Sequence, residues 1–241
     1  MKMRHQFALA AALVMGCSAP AFAQSTTFQN GDFSNGLTGW ETLGDVSVQL
    51  FGPFPQNPRA VLTTAFLDGG LEELDNRSGT SAAEISLIET FAGVAPFGLD
   101  IGGPAFEGSV MRQSFSVMAG DAINFNFWFS LLSQPSSIPG FPLDVGFVAV
   151  NGAVVSVLNP AAIAGMGNFS YQFATGGLAN VAIGVLDIGD FVGNTELRVD
   201  NIVVTAVPEP EHFAMLLAGL GLVGGVVSRR RAADKKRVES V

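Results

Sequence analysis

Between Gln24 and Val207 the chain contains no histidine, no cysteine and no lysine; His5, Cys17, His212, Lys2, Lys235 and Lys236 all lie outside that stretch. Nucleophilic sites of the Ser-His-Asp and Cys-His types are therefore excluded there, as is Schiff-base chemistry. Zinc held by Cys and His is excluded for the same reason, and no disulfide can form within the stretch. The chemistry that survives belongs to carboxylates. A glycosidase needs only two Asp or Glu side chains, but no spacing in this sequence singles out such a pair. An oxygen-rich run, Asp187-Ile188-Gly189-Asp190 followed by Asn194 and Glu196, lacks the D-x-D-x-D-G spacing of calcium loops and reads as a solvated turn. Two tryptophans could stack on sugar rings. Trp40 follows Gly39 at the end of a turn-forming segment. Trp128 alternates with a phenylalanine row and faces away from it, which makes Trp128 the better sugar-contact candidate of the two, although core packing is the favoured reading for both, since aromatics are usually buried.

Short alternating runs separated by Gly, Pro and Asn predict the strands that must carry these residues. They are Val46–Leu50, Ser109–Val117, Ile123–Phe129, Val145–Val150, Ala153–Leu158, Phe169–Phe173, Val181–Leu186 and Leu197–Val204. Ile123, Phe125, Phe127 and Phe129 share one face of their strand; Asn124, Asn126 and Trp128 share the other. Asn151-Gly152 is a strong type I′ hairpin signal. One helix is predicted over Ser81–Ala92, opened by a Ser81-Ala82-Ala83-Glu84 capping box, with Ile85, Ile88 and Phe91 at helical spacing. Three prolines mark residues 134–142 as a loop.

Charge separates the middle of the chain from its ends. The stretch from Gln24 to Val207 holds seventeen carboxylates against four arginines (Arg59, Arg77, Arg112, Arg198), a net charge of −13. Nucleic acid and anionic membrane surfaces, which need clustered Lys and Arg, are not expected partners. The N-terminus carries Lys2 and Arg4, an apolar run from Phe7 to Met15 and an Ala21-Phe22-Ala23 cleavage site, the parts of a signal peptide cut by signal peptidase before Gln24. A competing reading takes Val14-Met15-Gly16-Cys17 as a lipobox with Cys17 lipidated. At the other end, Phe213–Val227 is uncharged over 15 residues. As a helix it spans roughly 22 Å, short of a bilayer core of about 30 Å, although His212 and Ser228 extend it and Arg229 can snorkel. Arg229, Arg230, Arg231, Lys235, Lys236 and Arg237 follow, so this end stays cytoplasmic. The alternative is a buried core helix with a basic surface tail.

Val207-Pro208-Glu209-Pro210, the glycine-containing apolar segment and the Arg229–Arg231 stop together resemble the PEP-CTERM sorting signal of Gram-negative bacteria. That resemblance implies recognition by exosortase, a membrane cysteine protease, after transient anchoring in the inner membrane. Glu211-His212 stands where a small hydroxyl residue is commoner, and the tail runs on past Arg231. A second resemblance lies within the ectodomain. Asn30-Gly31-Asp32-Phe33 with Gly39-Trp40, and Leu197-Arg198-Val199-Asp200-Asn201-Ile202, are similar to the opening and closing segments of galactose-binding and carbohydrate-binding-module jelly rolls. Glu107-Gly108-Ser109, Met118–Asp121 and Phe125-Asn126-Phe127 resemble a choice-of-anchor ectodomain family. The jelly-roll resemblance implies that the first and last strands lie side by side. Asp32 and Asp200 would then share a structural Ca²⁺; the alternative gives each carboxylate to neighbouring backbone.

The sequence thus predicts a mainly β protein: a jelly-roll β-sandwich ectodomain with one short helix, a signal peptide and a C-terminal transmembrane helix. The expected organisation is signal peptide 1–23, ectodomain 24–206, sorting signal 207–231 with its membrane segment at 213–227, and basic tail 232–241. The expected role is a non-enzymatic structural or adhesive one at the cell surface or in the extracellular matrix, associated with exopolysaccharide. A carbohydrate-binding module is the first alternative and a carboxylate-dependent glycan hydrolase the second.

Overall fold

Strict alternation on one strand organises the molecule. Phe125, Phe127 and Phe129 are buried while Asn126 is exposed and Trp128 half-exposed between them, so this strand has one dry and one wet face. The computed structural model describes residues 27–53, 56–67, 69–132, 144–158, 165–189, 193–206 and 216–221. The expected signal peptide, the loop at 134–142, the Pro208-Glu209-Pro210 motif and the Arg229–Arg231 stop fall outside these residues. Of the expected membrane segment only 216–221 is described, and it is helical. Among the described residues no helix is long and apolar enough to cross a membrane.

The elements in chain order are β1 (Glu41–Leu43), β2 (Asp45–Phe51), β3 (Asn57–Thr63), a 3-10 turn (Leu71–Asp75), β4 (Ala83–Glu84), α1 (Ile85–Ala92), β5 (Ala105–Val117), β6 (Ala122–Leu131), β7 (Val145–Val150), β8 (Ala153–Leu158), β9 (Gly165–Gln172), β10 (Gly177–Ile188) and β11 (Thr195–Thr205). One antiparallel sheet runs β1-β5-β10-β7-β8, with β4 also on β5; the other runs β2-β3-β11-β6-β9. Only the β2–β3 and β7–β8 pairs are hairpins within a sheet. Apart from β4 to β5, which stay in one sheet with α1 between them, the chain otherwise crosses from sheet to sheet, as in the jelly roll expected from the sequence. The β7–β8 hairpin turns at Asn151 (φ 51°) and Gly152 (φ 80°), the two positive φ angles that a type I′ turn requires.

Aromatic rings make up a third of the buried residues in the sandwich interior. Phe125 stacks on Phe169 at 4.7 Å, and Phe115 meets Phe173 edge-on at 6.2 Å. Each fully buried side chain of this size contributes roughly 1.5–3 kcal/mol. A second apolar cluster lies on the far side of the first sheet, where Ile88 and Ala92 of α1 pack with Val110, Phe147, Ala182 and Leu186. Gly184 lets Phe147 into this layer, because a Cβ there would lie 2.3 Å from the ring. The helix therefore covers the outer face of the β1-β5-β10-β7-β8 sheet.

The helix starts later than its sequence signal suggests. Ala83 and Glu84 are held extended by pairing with Gly108 and Glu107 of β5. The N-cap is accordingly Glu84, with no side-chain cap, and Ser81 Oγ accepts the Leu67 N–H at 3.0 Å instead. β1 and β3 carry no clear sequence signal. β3 opens with Asn57-Pro58 and then runs apolar without alternation, because Ala60, Val61 and Leu62 are all buried between β2 and β11.

Asp45 ties the second sheet to the loop after the 3-10 turn. Its fully buried carboxylate accepts from Thr63 Oγ1, from the Arg77 N–H (2.9 Å) and from the Ser78 N–H (2.6 Å). Asp45→Ala strands these donors and is expected to cost about 2–4 kcal/mol. Urea unfolding of the purified exported protein measures this; an unchanged midpoint would show that the network carries no stability.

Candidate binding groove on the open sheet

The face of β6 that carries Asn126 and Trp128 continues across the whole second sheet. In one cross-strand row Gln49 pairs with Arg59, and Asp200 pairs with Asn126, which pairs with Asn168. In the next, Arg198 lies between Val61 and Trp128, and Trp128 opposes Met166. These two rows floor a groove of ≈ 530 Å³, with Asn57, Gly167 and Asn201 completing its lining.

Ion pairs run along the groove. Asp200, 6% exposed, accepts from Asn57 Nδ2 and from the Asn201 N–H (2.7 Å), and its Oδ2 lies 3.5 Å from Arg59 Nε. That last contact is an ion pair whose alignment does not make a hydrogen bond. Glu196, 1% exposed, takes Arg198 Nε on one oxygen and Arg77 Nε on the other, the latter at 3.4 Å. The arginines also lie over aromatic rings. Arg59 sits 5.4 Å from the Phe51 centroid and 5.3 Å from the Trp128 centroid, and Arg198 sits 4.3 Å from Phe51. Cation–π attraction at such distances is worth about 0.5–2 kcal/mol.

Trp128 stands on the wet face, as its alternation predicts, but Arg59 lies over its ring. Trp40 is 7% exposed and belongs to the core, its Nε1–H donating to the Asn30 carbonyl at 3.2 Å. The opening motif does meet the closing strand: the Ile202 N–H bonds to the Gly31 carbonyl at 2.9 Å, and a Cβ at Gly31 would fall 1.9 Å from the Ile202 oxygen. The paired neighbours of β11, however, are β3 and β6. Asp32 and Asp200 do not share partners. The exposed Asp32 accepts the Ser34 N–H (3.1 Å) and hydroxyl (2.9 Å), while Asp200 is held by Asn57 and Arg59. Both carboxylates are thus met by separate donors. Among the described residues no group of three or more His, Cys, Asp or Glu is arranged to hold a metal.

The run expected to form a solvated turn is mostly buried. Asp187, Asn194 and Glu196 are each no more than 2% exposed, because Asp187 lies within β10 next to its last residue and Glu196 within β11 between β3 and β6; Asp190 falls outside the described residues. Arg59, Asn57 and Met166 were not singled out by sequence reasoning. Arg59 and Asn57 lie on β3, which shows no alternation. Asn126 and Arg198 were legible as outward neighbours, two positions from Trp128 and Asp200.

Residues 206–231 match the PEP-CTERM protein-sorting motif. The chain therefore carries this sorting signal, which marks an exported protein processed at the membrane and implies an exosortase partner. Comparison with curated proteins gave no match. Among solved structures, the chain is similar to TmCBM61 in complex with β-1,4-galactotriose, at 10% identity and a TM-score of 0.41, covering 76% of this chain and 99% of that one. A family 16 carbohydrate-binding module gives 13% identity and a TM-score of 0.38, covering 73% and 97%. The enzymatically active domain of bacteriophage CBA120 tailspike protein 4 gives 11% identity and a TM-score of 0.37, covering 76% and 21%.

The Asx turn at Asp32 has a titration signature. The Ser34 N–H, then its hydroxyl, hold the Asp32 carboxyl below its ordinary value, with desolvation opposing them. A depressed folded value means that the contribution is present above the unfolded pKa and is lost as pH falls through the folded one. In an NMR titration Ser34→Ala should move the Asp32 midpoint upward. A midpoint that stays put would remove the Ser34 hydroxyl as a cause.

Proposed function

We propose that this is an exosortase-processed protein of the cell surface or extracellular matrix whose ectodomain binds glycans without catalysis. The observation that carries the reading is the groove. It lies on the sheet that α1 does not cover, and it offers amides, guanidinium groups and an indole together, the mixture that polyhydroxylated ligands need. Against hydrolysis, the groove is lined by one carboxylate among the described residues, Asp200, and that group is already engaged by Asn57 and Arg59. A glycosidase flanks the scissile bond with two.

Glycan-array screening of the purified exported protein, followed by calorimetry on the best hit, tests this reading. Trp128→Ala should weaken that binding about tenfold, since aromatic contacts are worth about 0.5–1.5 kcal/mol beyond area burial and 1.4 kcal/mol is a factor of ten. Retained affinity would move the site elsewhere. Turnover of any bound glycan would make the protein an enzyme.

The sorting half of the proposal has a separate test. Pro208 and Pro210 lack N–H donors and favour an extended segment suited to a protease groove, with Glu209 between them for recognition. Replacing Pro208, Glu209 and Pro210 with alanine should leave export intact and retain the full-length chain in the membrane. Wild-type protein recovered outside the cell with residues 213–227 still attached would rule processing out.

A further inference from the structure

We infer that the groove takes an acidic glycan, one bearing carboxylate or a comparable anionic substituent, and that the outward forks of Arg59 and Arg198 grip the acid. The inference rests on the glycan-binding reading and names its ligand class. Its first support is the placement of charge. Only four arginines serve the whole ectodomain, and two of them line this groove from the adjacent strands β3 and β11. Its second support is how each guanidinium is used. Arg112, on the other sheet, is consumed by the protein: Nε and Nη2 go to Glu41 and Nη1 to the Phe91 carbonyl at 2.5 Å. Arg59 and Arg198 meet Asp200 and Glu196 through Nε alone. Their Nη atoms have no acceptor among the described residues, and the two side chains are 22% and 25% exposed.

Pairing through Nε turns the two-pronged end of a guanidinium away from its protein partner. That end matches a carboxylate or sulfate in bidentate geometry. Phe51 lies beneath both guanidinium groups and Trp128 beside Arg59, so little side-chain freedom remains to be lost on binding. The same contact argues against a neutral ligand that relies on stacking, because Arg59 already occupies a face of the indole. The −13 charge of the ectodomain does not oppose the assignment at contact range, since charges beyond about 8 Å are screened at physiological ionic strength. It also gives a polyanion no non-specific attraction, so binding would report a defined site.

The test is calorimetry of the purified exported protein against polygalacturonate, polymannuronate and a glucuronan, each beside its carboxyl-reduced, uncharged counterpart. At least one acidic polymer should bind ten or more times tighter than its reduced form, and that preference should shrink as NaCl is raised. Arg198→Lys keeps the charge but loses the fork, and should cut the preference about tenfold while the melting temperature, recorded in parallel, confirms a folded protein. Equal or tighter binding of the reduced polymers overturns the inference and leaves the glycan-binding reading standing. Binding to none of the six polymers, with a negative array, overturns both. An acid preference that Arg198→Lys leaves intact removes it from this groove.

Discussion

Two buried carboxylates on one strand govern the open face of this molecule. Glu196 and Asp200 are 1% and 6% exposed. An ionised carboxylate taken out of water costs several kcal/mol unless donors and countercharges meet it. The fold supplies Arg77 and Arg198 to Glu196, and Arg59 with Asn57 to Asp200. Three of the four ectodomain arginines are thereby drawn to one end of one sheet. The chemistry of the groove follows from this. The cations are there because β11 carries acids, and aromatic rings lie against the cations because Phe51 and Trp128 are their nearest outward neighbours.

The two sheets solve the problem of their outer faces differently. The outer side of the β1-β5-β10-β7-β8 sheet carries Val110, Phe147, Ala182 and Leu186, which would form an apolar patch in water; α1 and the segment after it cover them. The outer side of the β2-β3-β11-β6-β9 sheet carries amides and ion pairs beside Phe51, Trp128 and Met166, a mixed surface that water or a polar ligand can solvate. The helix thus bears on the glycan-binding proposal, since it covers one sheet while the groove lies on the other.

Alternation made much of this legible in the sequence. The period-two pattern of Ile123–Phe129 places Asn126 and Trp128 outward, and Asn151-Gly152 places the β7–β8 turn. What escaped was fixed by tertiary contact. β3 is buried on both sides at Ala60–Leu62, so it has no period-two signature, and with it went Arg59. Ser81 reads as a helix cap, but pairing of Ala83 and Glu84 with β5 overrides that local preference. Asp187, Asn194 and Glu196 read as a polar loop because local composition does not reveal that long-range partners such as Arg77 and Asp75 complete them.

The order of parts along the chain adds a last constraint. β11 ends at Thr205 and the sorting motif begins at residue 206, with no spacer in sequence between them. Asp200 lies five residues before the strand's end, a rise of about 17 Å at the usual 3.3–3.4 Å per residue. The strand that lines the groove is therefore also the strand that leads to the membrane signal. Its register is fixed on both sides, by β3 at Glu196–Val199 and by β6 on either side of the bulge between Asp200 and Val203. Asn201 within that bulge adopts a left-handed φ of 52°, and the adjoining Ile202 N–H is taken by Gly31. The opening Asn30-Gly31-Asp32-Phe33 segment, read from sequence as a family signature, thus acts physically as a clamp on the last strand. It holds β11 in place at the point where the groove ends and the chain departs for the sorting signal.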